Sequence, residues 1–123
     1  MARLVALAAA VVVVAATAGA AELSEEQKIE ALIKSVDELK GAKFIRNGSA
    51  HDGKAAAQHM RRKWKAGDKQ IKTARDFIRL AASASSKSGK PYLIRFKDGR
   101  EVESGAYLAE KLDEIEKGAE GKG

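Results

Sequence analysis

Apolar side chains at Ile29, Leu32, Ile33, Val36 and Leu39 recur at three- and four-residue spacing, the period that collects side chains on one face of an α-helix. Ser24 with Gln27 three positions on reads as a capping box, each side chain satisfying a backbone N–H at the helix start, and Gly41 supplies the stop. The run Lys43-Phe44-Ile45-Arg46 predicts a short strand closed by the turn pair Asn47-Gly48. A second helix is expected to begin within residues 49–52 and to reach Lys65, with Ala56, Met60 and Trp64 facing the core and Gly67 ending it. Thr73 and Asp76 cap a third helix whose apolar side is Ala74, Phe77, Ile78 and Ala81. Serine-rich residues 83–89 break that helix, because serine hydroxyls compete for backbone hydrogen bonds.

Residues 92–96 give the strongest strand pattern, and Asp98-Gly99 is a two-residue hairpin signal. The returning strand over residues 100–103 is short and charged, which suits a sheet edge. Ser104 is the expected cap of a last helix carrying Tyr107, Leu108, Leu112 and Ile115, and residues 118–123 read as a disordered tail. The order helix, strand, two helices, hairpin, helix predicts an α+β fold: one small domain over residues 22–117, with about four helices packed on an antiparallel sheet of two to three strands. A length of 123 residues allows one such domain and no second.

Residues 1–21 are set apart from that domain. Arg3 is followed by an apolar run from residue 4 to 16 and then by Thr17-Ala18-Gly19-Ala20-Ala21, the plan of a secretory signal with small residues at its cleavage site. Cleavage after Ala20 and cleavage after Ala21 both satisfy the small-residue rule. The chain is therefore expected to be exported to the periplasm, with no transmembrane segment in the mature protein. It has no cysteine, so a lipoprotein anchor and disulfides are excluded and packing alone must hold the fold.

Charge changes the functional picture more than composition does. The formal net charge is +6, but residues 22–42 hold three basic and six acidic side chains, residues 43–100 sixteen basic and four acidic, and residues 101–123 three basic and seven acidic. Acidic ends thus flank a strongly basic middle, densest at Arg61-Arg62-Lys63-Trp64-Lys65. Uncompensated basic surface concentrates anions near it. Nucleic acid is not the expected partner, because export removes the chain from it and the sequence lacks the aromatic interleaving of a single-strand platform. An anionic envelope component or an acidic protein surface is.

Candidate chemistry is sparse. His59 and Lys63 lie four apart and share a helix face, an arrangement that suits a carboxylate or phosphate; in purely structural terms it is a core-edge histidine beside a snorkelling lysine. His51 precedes or opens the same helix, where unpaired backbone amides favour anions; in purely structural terms it is a cap or turn residue. His51 and His59 fall short of a metal site, which needs three or four protein ligands, and no cofactor motif is present. Lys87-Ser88-Gly89 and Ser88-Gly89-Lys90 imitate fragments of penicillin-interacting and nucleotide-binding motifs but lack the partners that make either work. The serine cluster with Lys87 and Lys90 is a candidate backbone nest for an anion.

Four blocks in order carry a resemblance. They are Phe44-Ile45-Arg46-Asn47-Gly48 with His51; His59-Met60-Arg61-x-Lys63; Thr73-Ala74-x-x-Phe77-Ile78; and Ala82-Ser83-x-Ser85-Ser86-x-Ser88-Gly89-Lys90-Pro91-Tyr92. Across residues 24–112 the chain resembles the YfeK-like family of small exported bacterial proteins, a domain of unknown function. The resemblance implies a periplasmic, single-domain protein and no activity. Its polar positions fall here on Arg46, Asn47, His51, His59, Arg61, Lys63, Ser83, Ser85, Ser86, Lys90 and Tyr92. The expected function is non-enzymatic binding, with Arg46, Asn47, His51, His59, Arg61, Lys63, Ser85, Ser86, Lys90 and Tyr92 as candidate ligand-binding residues and no catalytic residue assigned. The alternative is a small hydrolase pairing His59 or His51 with a serine of residues 83–88.

Overall fold

A computed structural model describes residues 22–122 of the chain. The expected signal peptide lies outside the described residues. Helix α1 (Glu25–Asp37) begins at the capping box of Ser24 and Gln27 and buries Ile29, Leu32, Ile33 and Val36, the stripe read from the sequence. Strand β1 (Lys43–Arg46) follows, then helix α2 (Gly53–Ala66), capped by the Asp52 side chain on the Ala55 N–H at 2.9 Å and closed at Gly67. Helix α3 (Ala74–Ala81) starts at the Thr73–Asp76 capping box and buries Ala74, Phe77, Ile78 and Ala81.

Residues 49–51 correct the sequence reading. They form a strand, β2 (Ser49–His51), rather than the first turn of α2. Asn47 and Gly48 have φ of 51° and 83°, and Arg46 pairs with Ser49 across them, so the loop is a two-residue turn that sends the chain straight back along β1. With β3 (Leu93–Arg95) and β4 (Glu101–Glu103) the sheet has four strands in the order β2-β1-β3-β4, all antiparallel, against the two to three expected. Strand β3 is shorter than the expected 92–96. The β3–β4 turn also differs: the Phe96 N–H bonds Arg100 O, the Gly99 N–H bonds Phe96 O, and Gly99 has φ of 92°. That is a three-residue loop with its glycine in the left-handed region, not a two-residue one.

Helix α4 (Ser104–Lys122) runs on through Gly118, past the boundary set at residue 117. Ser104 is its first residue and is fully buried, but its Oγ has no hydrogen-bond partner among the described residues, so it does not cap the helix as expected. No helix among the described residues is long and apolar enough to cross a membrane.

Register decides which side chains meet. His51 pairs with Phe44, Phe44 with Ile94, and Ile94 with Val102, so these four form one row across the sheet. Phe44 and Ile94 are 4% and 0% exposed, which makes this row the helix-facing side. Arg46 and Tyr92 lie two residues along from Phe44 and Ile94 and share that side. Helix α2 packs over this end of the sheet, and α1, α3 and α4 complete the core around Phe77, Leu32, Leu108 and Leu112.

Candidate functional site

Tyr92 is the centre of the candidate site. Its backbone is pinned on both sides: its N–H bonds Ser83 O at 2.9 Å and its C=O accepts from the Ser104 N–H at 2.8 Å. The residue is 6% exposed. Two side chains of α2, one turn apart, reach its hydroxyl. His59 Nε2 lies 3.2 Å from it, with the rings edge to face at 5.9 Å, and Lys63 Nζ donates to it at 3.2 Å. Lys63 also donates to Ala84 O at 3.3 Å, and its ammonium sits 5.3 Å from the Tyr92 ring centroid.

Beneath this group is a cavity of about 20 Å³ lined by Phe44, Ile45, Arg46, His51, Ala56, His59, Met60 and Tyr92. That volume holds one water and nothing larger. His51 Nε2 is buried beside it without a hydrogen-bond partner among the described residues. The inward row of the sheet explains the placement: as the residue opposite Phe44, His51 must face α2.

Burial and a concentration of positive charge set the chemistry. Burial first, then the charges of Arg46, Lys63, Arg62 and His51, push His59 down to about 4. The imidazole is therefore neutral near pH 7. Lys63 supplies N–H groups and the Tyr92 oxygen accepts one, so the phenol proton points to His59 Nε2 and the neutral ring carries its own proton on Nδ1. The other neutral tautomer would leave the buried phenol proton without an acceptor among the described residues, at a cost of about 1–3 kcal/mol.

A second cluster joins the site at the β1–β2 turn. Asn47 Nδ2 donates to Ser85 Oγ at 3.1 Å, and Ser88 Oγ donates to Asn47 Oδ1 at 2.6 Å. The N–H groups of Lys87 and Ser88 point at Ser85 Oγ, and that of Lys90 at Ser88 Oγ. These amides serve the loop itself, so the loop closes as a hydrogen-bonded turn around Ser85. It fastens the hairpin tip to the segment that carries Tyr92 and leaves Lys87 and Lys90 exposed on its rim.

Of the ten candidate residues, Arg46, His51, His59, Lys63 and Tyr92 converge directly, and Asn47, Ser85 and Lys90 belong to the adjoining loop. Arg61 does not join them: it points to α1 and forms an ion pair with Glu30 at 2.8 Å. Ser86 is exposed and lines a separate groove with Gly67, Ile71 and Leu80, reached from the other side by Lys63. The residue the sequence reading missed is Arg62, whose charge acts on His59. It lies three positions after His59, so the helical period that singled out Lys63 would have found it. Ser88 was seen only as part of the serine cluster, and its bond to Asn47 spans 41 positions.

His59 bonds a tyrosine and not a serine, Ser83 Oγ donates to Ile78 O at 2.6 Å, and Ser85 and Ser88 are engaged with Asn47. No three His, Cys, Asp or Glu side chains among the described residues gather as metal ligands.

The chain is similar to one described family and to one bacterial protein. A family described as "Family of unknown function (DUF5329)" matches residues 23–116. The "Uncharacterized protein YfeK" of Salmonella typhimurium is 41% identical over 68 residues, 55% of this chain. That match spans 57% of the relative's own length. No solved structure matches.

Proposed function

The chain belongs to that family of unknown function, which lends it no activity, and from this premise we propose that it is a non-enzymatic module binding an anion at the corner built by Arg46, His59, Arg62, Lys63 and Tyr92. One observation carries the reading. Arg46, Arg62 and Lys63 lie close enough together for all three charges to act on His59, and none of them forms an ion pair with a carboxylate among the described residues. Clustered cations repel one another, and a fold that only needed solubility would disperse them or pair them. The expected ligand is an anionic component of the cell envelope or an acidic partner surface, in keeping with the expected export to the periplasm.

Thermal unfolding of the purified protein with inorganic phosphate, phosphatidylglycerol vesicles, lipopolysaccharide or a polyglutamate peptide tests this. A ligand at a hundredfold excess over its Kd adds about 2.7 kcal/mol to stability. The shift should shrink in Arg62→Ala and persist in Arg61→Ala, whose side chain is engaged elsewhere. A shift lost equally in both variants would mean a diffuse basic surface, and no shift with any of the four would refute the proposal.

A further inference from the structure

Hydrogen-bond accounting at Tyr92 goes one step beyond anion binding, and rests on it. The phenol has one proton and an oxygen that accepts. In the neutral state the proton goes to His59 Nε2, and one lone pair of the oxygen receives Lys63 while the other stays free. When His59 gains its second ring proton, Nε2 becomes a donor. The Tyr92 oxygen then accepts from both His59 and Lys63, and the phenol proton loses its partner. No other group among the described residues hydrogen-bonds that hydroxyl. The proton must turn toward an acceptor that the described residues do not provide, at the place where unpaired cations await an anion.

We propose that the corner binds an oxyanion together with a proton: the ligand is held by the form in which His59 is an imidazolium and Tyr92 has turned its hydroxyl from His59 to the ligand. The groups that face His59 are Lys63 and Arg62 of its own helix, Arg46 of β1, His51 of β2 and Tyr92 before β3. Burial first, and then the charges of Arg46, Lys63 and Arg62, keep the ring neutral when the site is empty. A bound negative charge reverses the balance. One net charge felt about 6 Å away at an effective dielectric near 20 favours the imidazolium by roughly 100-fold. Starting from a ring that titrates at about 4, the affinity gain falls between about pH 6 and 4. The ligand class is a phosphate- or sulfate-like oxyanion, free in solution or borne on a lipid headgroup.

Affinity is measured at pH 4.5 and 6.5 and constant ionic strength, with sodium sulfate in one arm and phosphatidylglycerol vesicles in the other. Neither probe titrates in this range. We expect the responding arm to show binding about 20-fold tighter at pH 4.5, and less than about twofold in His59→Gln. Whichever arm responds identifies the source. Binding that is equally tight at both pH values, or a pH dependence that His59→Gln leaves intact, overturns the proton coupling while the anion-binding reading stands. No binding in either arm at either pH overturns both. A second readout needs no variant: on adding sulfate at pH 5.5, the His59 Nε2 nitrogen signal should move from the unprotonated to the protonated range, and an unmoved signal refutes the proposal.

Discussion

His59→Gln gives the most direct test of the site's electrostatics, because it removes a titration while keeping a side chain that can accept from Tyr92. The folded protein holds His59 at about 4 against an ordinary 6.5. The unfolded chain therefore binds more protons between those values, and stability must rise with pH across the interval. The contribution is fully present above pH 6.5 and is lost as pH falls toward 4. A drop from 6.5 to about 4 sets an upper bound of about 3.4 kcal/mol. The ring is partly open to solvent, so screening lowers the expected loss to about 2 kcal/mol. Urea unfolding of the wild type and His59→Gln at pH 7.5 and 4.0 would measure it, provided the slope with denaturant is the same for both. Glu25 and Asp76 are also held low, chiefly by the backbone N–H groups of Ala74 and Lys72, and lose stability as the pH falls. That loss is common to both proteins and cancels in the difference. The wild type should lose about 2 kcal/mol more than the variant. Equal losses in the two proteins would refute the claim that burial and neighbouring cations keep His59 neutral.

Four substitutions test the frame around the site, each by denaturant unfolding. Ser104→Ala removes a fully buried hydroxyl that has no partner among the described residues and leaves the backbone bond to Tyr92 in place, so it should stabilise by up to about 1 kcal/mol; a clear loss would refute the claim that the hydroxyl is unpaired. Asn47→Ala loses the bonds to Ser85 and Ser88 and must hold a φ of 51°, at a cost of about 2–3 kcal/mol. Asn47→Gly tolerates that φ and should cost about 1 kcal/mol less, and equal costs would refute the backbone argument. Gly53→Ala would set a Cβ 2.5 Å from Val36 O, a backbone atom that cannot swing aside, and should cost about 2–4 kcal/mol; a neutral result would mean that α1 and α2 can slide apart.

Helices α1, α2 and α3 were legible because each combines an amphipathic period with a specific cap. Ser24–Gln27 and Thr73–Asp76 form the reciprocal bonds their spacing predicts. Strand β2 was not legible from its own three residues, since Ser49-Ala50-His51 is too short to show alternation. Its signal lay one step earlier. A tight turn with two positive φ angles favours a strand that returns at once, and Asn47-Gly48 is the pair best suited to it. The site was legible as residue types and not as a place. Arg46, His51 and Tyr92 meet His59 because Phe44 pairs with both His51 and Ile94, and such register is a long-range property. Arg61 and Arg62 show the limit in one step. They are adjacent in sequence but about 100° apart around α2, so one pairs with Glu30 while the charge of the other acts on His59.

The acidic ends of the chain neutralise only part of the basic middle. Lys28 lies between Glu25 and Glu116 at 3.0 and 2.9 Å, Arg75 bonds Asp113 at 2.9 Å, and Arg61 bonds Glu30, so the carboxylates of α1 and α4 serve the helical side of the molecule. Arg46 and Arg62 are left with neither an ion pair nor a side-chain hydrogen bond among the described residues. If they are held for a ligand, they contribute repulsion and little else to the empty fold. Replacing both with glutamine should then leave stability unchanged or raise it by about 0.5–1 kcal/mol, while His59 titrates at a higher pH and anion affinity falls. Stability gained as affinity is lost is the behaviour of a binding site, in which function opposes the fold. A double variant destabilised by more than about 1 kcal/mol would instead mean that the two arginines hold the structure together, and the corner would lose its claim to an external anion.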